Sequence, residues 1–168
     1  MSRRDLSIKW LLYAAACLIF ILLQGLIFNH ICILQVHPFV FPLLVATAAV
    51  FEPPMESAVF GLIFGLLCDL TLPGMIPCYY TVAFLLAALL CTLIAEKLIV
   101  PGFWCSLVCG VLSVFLCDLI NILACHNQYG TRYADAFNLT GREILLALPL
   151  IPVIFFLFRY IHLRTKAD

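Results

Sequence analysis

The sequence predicts an all-helical membrane bundle of six transmembrane helices, and three observations carry that reading. Hydrophobic residues fill 65% of the 168 positions against 11% charged, and the mean hydropathy is +1.17, leaving too little polar surface for a water-soluble globule. Apolar runs long enough for about 30 Å of hydrocarbon recur at 10–28, 36–51, 57–72, 79–100, 103–124 and 144–161. Prolines, glycines and charges punctuate the intervals between them.

The first run follows Arg3, Arg4 and Lys9, as in a signal peptide. Its length of about 19 residues and the lack of a small-residue cleavage site after it predict a retained span. The second and third runs are short and are divided by Glu52-Pro53-Pro54, where two prolines end a helix and a carboxylate marks the water boundary. Fusing them would put Glu52 and Glu56 at the bilayer centre, so they are read as separate spans. Pro101-Gly102 separates the fourth run from the fifth. The polar stretch from Cys125 to Glu143 separates the fifth from the sixth and is expected as an exterior loop, laid along the membrane by Tyr129, Tyr133 and Phe137. Pro149 and Pro152 predict a kink in the sixth run.

Orientation follows from the basic residues. With a cytoplasmic N-terminus, that side carries Arg3, Arg4, Lys9, Lys97, Arg159, Arg164 and Lys166, and the other side only Arg132 and Arg142. Six spans with both termini cytoplasmic are therefore expected. Nine basic and nine acidic residues cancel, and no Lys/Arg-rich tract is present, so membrane lipid is an expected partner and nucleic acid is not.

Chemistry is sparse. Of the nine cysteines, Cys17, Cys68, Cys91, Cys105, Cys109 and Cys117 fall inside apolar runs, where a thiol behaves as a small hydrophobe. Cys105 and Cys109 are one turn apart, but no His, Asp or Glu lies within a turn to complete a metal shell. No hydrolase, metalloprotease, Walker or dinucleotide motif is present, and Asp69 with Asp118 lacks the Tyr-Asp and Gly-x-Gly-Asp contexts of intramembrane aspartyl proteases. The expectation is a protein without enzymatic activity, metal or cofactor.

The informative residues are two acids at membrane depth, where a carboxylate costs a few kcal/mol and is rarely kept without use. Gly61, Gly65 and Asp69 recur every fourth residue, so they form one helical stripe on which the glycines admit a close neighbour. Gly110, Val114, Asp118 and Asn121 form a second stripe, with Asn121 in reach of Asp118. Residues 61–70 match 110–119 at five of ten positions, an echo that places the two acids at similar depth. No Lys or Arg is predicted at that depth. Each acid must then be protonated, hydrogen-bonded to Asn121, Gln24, Thr81 or backbone, beside a water-filled cavity, or against a partner protein.

Gly61-x-x-x-Gly65-Leu66-Leu67-x-Asp69 followed by Gly74, in a chain of about six spans with a short basic N-terminus, resembles the bacterial rod shape-determining protein MreD family. The resemblance is strongest over 50–90, and Pro77 stands where that family usually has a second glycine. It implies a non-enzymatic component of the cell-elongation machinery in the bacterial plasma membrane. MreC, MreB and a RodA-type polymerase are the implied partners, and the implied fold is similar to the substrate-binding membrane subunits of energy-coupling-factor vitamin transporters. The Gly61/Gly65/Asp69 stripe would then dock either the single span of MreC or another helix of the chain's own bundle. The alternative drawn from the same architecture is a vitamin-transporter substrate-binding subunit, with solute held near the outer half where the acids lie. Such subunits use an Ala-x-x-x-Ala pattern in the first span, where this chain has Ala14-Ala15-Ala16.

Overall fold

The structure, a computed structural model, describes residues 3–30, 36–72, 77–129 and 133–166, with side chains described over 8–123 and 136–164 of those stretches. Gly74, Cys32 and Arg132 lie outside the described residues. The elements are α1 (Arg3–Leu23), continued by one π-helical segment (Gln24–Phe28), α2 (Phe41–Phe51), α3 (Pro54–Thr71), α4 (Tyr79–Lys97), α5 (Phe103–Tyr129), α6 (Tyr133–Ala147) and α7 (Leu150–Lys166).

Contacts near helix ends fix the order in which the chain runs back and forth. Lys9 at the start of α1 meets Glu52 at the end of α2 and Glu56 at the start of α3, and His162 near the end of α7 lies 3.7 Å from Glu52. These form the proximal end of the bundle. At the distal end, Gln24 binds the backbone just ahead of α2, Asp69 at the end of α3 meets the start of α4, and Tyr79 reaches Cys117 in α5. Successive passages therefore alternate in direction, and the start of α1 and the end of α7 both belong to the proximal end.

Among the described residues, four helices are long and apolar enough to cross a membrane: Ile8–Phe28, Pro54–Thr71, Tyr79–Lys97 and Phe103–Leu123. A fifth crossing is obtained if Ala136–Ala147 and Leu150–Arg164, bent by 50°, count as one. Against the expectation of six spans, the described residues hold four or five such crossings and the shorter apolar helix α2. The run at 36–51 is helical only from Phe41, and 11 residues at 1.5 Å each make a rod of about 17 Å. Helix formation fails over 36–40 because Pro38 biases its surroundings away from α, and Gln24 takes up the freed backbone groups. Its Nε2 donates to Pro38 O at 2.9 Å, and its Oε1 accepts from Val40 N at 3.2 Å.

The second correction concerns 125–143. The described residues of this stretch are helical: α5 continues to Tyr129 and α6 begins at Tyr133. The predicted kink falls between α6 and α7 at residues 148–149, beside Pro149, which cannot donate to a continuing helix.

α2 is the core of the molecule. Every residue from Phe41 to Val50 is buried, as expected of a helix that is apolar on all sides, and α3, α4, α5 and α7 pack round it. Small hydroxyls pin these helices together: Ser113 Oγ donates to Pro42 O at 2.8 Å, and Thr92 Oγ1 bonds Ser57 Oγ at 2.9 Å. An aromatic stack through Tyr13, Phe60, Phe64 and Phe84 fills the space between α1, α3 and α4, and Tyr13 stacks on Phe158 of α7 at 5.1 Å. No more than 39% of any of the four long helices is buried, and their outer faces carry leucines such as Leu18, Leu62, Leu86 and Leu123, which suit lipid contact.

Candidate functional site

The stripe Gly61/Gly65/Asp69 lies against α4, the tightest helix pair in the molecule. A Cβ on Gly65 would sit 2.6 Å from Thr81 Cα and 2.7 Å from Tyr80 O, and one on Gly61 would sit 2.8 Å from Phe84 O. These are backbone atoms that cannot swing aside, so only glycine allows this approach. The approach delivers Asp69 to the start of α4. Cys78, the cap residue there, has the left-handed conformation (φ 60°, ψ 23°) and offers no side-chain cap. Asp69 caps in its place: Oδ1 accepts from Tyr80 N and Oδ2 from Thr81 N, both at 2.9 Å, and Oδ2 also accepts from Thr81 Oγ1 at 2.6 Å. These N–H groups are otherwise orphaned, and the positive end of the helix dipole favours the anion. Thr81 was among the partners the sequence named. The stripe is a seam within the chain's own bundle.

The second stripe has a different environment. Gly110 and Val114 are buried, and a Cβ on Gly110 would meet only side-chain atoms, Ile151 Cδ1 at 3.1 Å and Leu43 Cδ2 at 3.3 Å. Asp118, one turn further, lies beside Thr140 and Glu143 of α6, and its Oδ2 is buried with no partner among the described residues. Asn121 lines the same space. Asp118, Asn121 and Glu143 line a cavity of about 430 Å³ at the distal end, with Gln24, His37 and Tyr79 contributing from α1, the chain ahead of α2, and α4. Gln24 opens the π-helical segment of α1, a distortion often found at functional sites. Asp69 does not line this cavity, so the two acids lie near the same end without sharing a site.

Two further features escaped sequence reasoning. The first is the charged knot at the proximal end. Lys9, 4% exposed, bonds Glu52 and, at 3.1 Å, Glu56, while Tyr13 Oη donates to Glu52 Oε1 at 2.7 Å. Burial pushes the Glu52 carboxyl above its ordinary range, and the hydrogen bonds from Lys9 and Tyr13 pull it back down. Complementary charges assigned to one end of the bundle were the available signal. The second is an apolar groove of about 280 Å³ between α1 and α3, lined by Ala14, Cys17, Leu18, Ile63 and Leu67 among others. As for metals, Cys105 and Cys109 have their sulfurs 4.0 Å apart, and the described residues contain no group of three or more His, Cys, Asp or Glu placed to hold an ion.

This architecture defines a class: a helical bundle with several apolar helices able to span a membrane, consistent with a multi-pass membrane protein. Comparison with protein-family models, with curated proteins and with solved structures gives no match.

Proposed function

We propose that this chain is a non-enzymatic scaffold of the bacterial cell-elongation machinery. It lies in the plasma membrane with both termini cytoplasmic and acts through transmembrane helix contacts with MreC and, through it, with MreB and the RodA-type polymerase. Support comes from the Gly61-x-x-x-Gly65-x-x-x-Asp69 motif, from the bias of basic residues, and above all from the groove between α1 and α3. The motif that carries the family resemblance is spent on locking α3 to α4, so it fixes one wall of that groove rather than serving as the docking face itself. The wall is apolar, flanked by exposed Leu18, Ile63 and Leu67, and open along the membrane, which suits a single crossing helix such as that of MreC.

The test is co-purification with MreC after filling the groove with Ala14→Phe and Ile63→Trp. Loss of MreC at unchanged protein abundance is expected, and unchanged recovery of MreC would remove the groove from consideration. Depletion followed by microscopy tests the role itself. Rounded or bulging cells are expected, whereas normal shape combined with vitamin auxotrophy would replace this reading with that of a transporter subunit.

A further inference from the structure

The distal cavity carries chemistry that a purely mechanical scaffold does not require. Its volume, about 430 Å³, falls in the range of small-molecule pockets. Asp118 and Glu143 both line it, and a cation placed beside two carboxyl groups favours the charged form of each. Among the described residues no Lys or Arg lines the cavity to neutralise that charge. Asp118 Oδ2 is buried and lacks a hydrogen-bond donor among them.

Two of the donors that line the cavity are committed elsewhere. Gln24 Nε2 donates to Pro38 O at 2.9 Å and to Asn29 Oδ1 at 3.3 Å, and Tyr79 Oη donates to Cys117 O at 2.6 Å. Phe39, Tyr79 and Tyr80 form an aromatic corner, with Tyr79 and Tyr80 edge to face at 4.8 Å and Phe39 5.9 Å from Tyr80. A wall that is anionic, rich in acceptors and aromatic matches a cation that also donates hydrogen bonds.

We infer that this cavity binds a small organic molecule bearing a protonated primary amine, held by Asp118 and Glu143 and flanked by Tyr79 and Tyr80. The inference does not rest on the elongation role, and either can fail without the other. The probe is benzylamine, with benzyl alcohol as the neutral molecule of matching shape, added to the purified full-length chain in lipid nanodiscs and followed by equilibrium dialysis and thermal unfolding. Benzylamine is expected to bind saturably and raise the melting temperature, and benzyl alcohol to do neither. Asp118→Asn combined with Glu143→Gln is expected to weaken benzylamine by about thirtyfold or more, because a buried charge contact is removed. Equal responses of the wild-type chain to the amine and the alcohol, or none to either, would overturn the inference without recourse to a variant. So would displacement of benzylamine by equimolar sodium or potassium, which would make this a metal-ion site, and so would undiminished affinity in the folded double variant.

Discussion

Segments 61–70 and 110–119 share a glycine, a leucine, a cysteine, an aspartate and a second leucine at matching positions, and both run toward the distal end, yet their acids serve different ends. Asp69 accepts three hydrogen bonds at the start of α4, two of them from backbone N–H groups. Asp118 lies beside side chains of α6 and borders a cavity. The glycines differ in parallel: Gly61 and Gly65 press on the backbone of α4, while Gly110 meets only side-chain methyl groups of Leu43 and Ile151 and the Cγ1 of Ile151. A carboxylate satisfied by fixed backbone donors belongs to the frame. One left with an unpartnered oxygen beside open space is available to a ligand.

Substitutions can break or sharpen this contrast, and the largest effect is expected at Gly65. Gly65→Ala forces a methyl group into Thr81 backbone and should cost about 3 kcal/mol, at the upper end for overpacking. Denaturant unfolding of the purified protein measures it, and a loss under about 1 kcal/mol would mean the seam is looser than it looks. Next comes Asp69→Ala, which strips the cap from α4 and should cost about 1–2 kcal/mol in the same assay. Its signature is local: hydrogen exchange at the first turn of α4 should accelerate more than elsewhere.

Gly110→Ala should cost about 1 kcal/mol or less, because Ile151 and Leu43 can adjust by a few tenths of an ångström. If it matched Gly65→Ala, the two stripes would be equivalent and the contrast would collapse. The smallest effect is expected for Asp118→Asn, with stability within about 0.5 kcal/mol of wild type, since the change keeps hydrogen-bonding capacity while removing a charge. A loss as large as that of Asp69→Ala would place Asp118 in the frame as well.

Particular elements show what the sequence made legible. The four-residue spacing of Gly61, Gly65 and Asp69 was enough to predict a close-contact stripe, because helical periodicity alone puts them on one face. The division of α2 from α3 was equally plain, since Pro53 and Pro54 admit no other reading. Glu143 was misplaced because Arg142, Asn138 and Asp135 make the stretch look like a loop. The overlooked signal was Ala136, Thr140 and Glu143 at helical spacing, which puts them on one face of α6. The burial of the short helix α2 was overlooked for another reason: hydropathy reports how apolar a run is, and cannot separate a lipid-facing helix from one walled in by its neighbours.

The sequence by itself determined the solvent, the helices' existence and most of their boundaries, and the faces of α3 and α5 that carry acids. Those properties are local, set by hydropathy, periodicity and proline within a few turns of chain. Only the tertiary structure decided that Asp69 caps α4, that Lys9 meets Glu52 across 43 residues, and that Asp118 finds Glu143 beside a cavity. Each of these joins groups distant in sequence, and which groups meet is fixed by how closely the helices pack, a quantity that no single helix encodes.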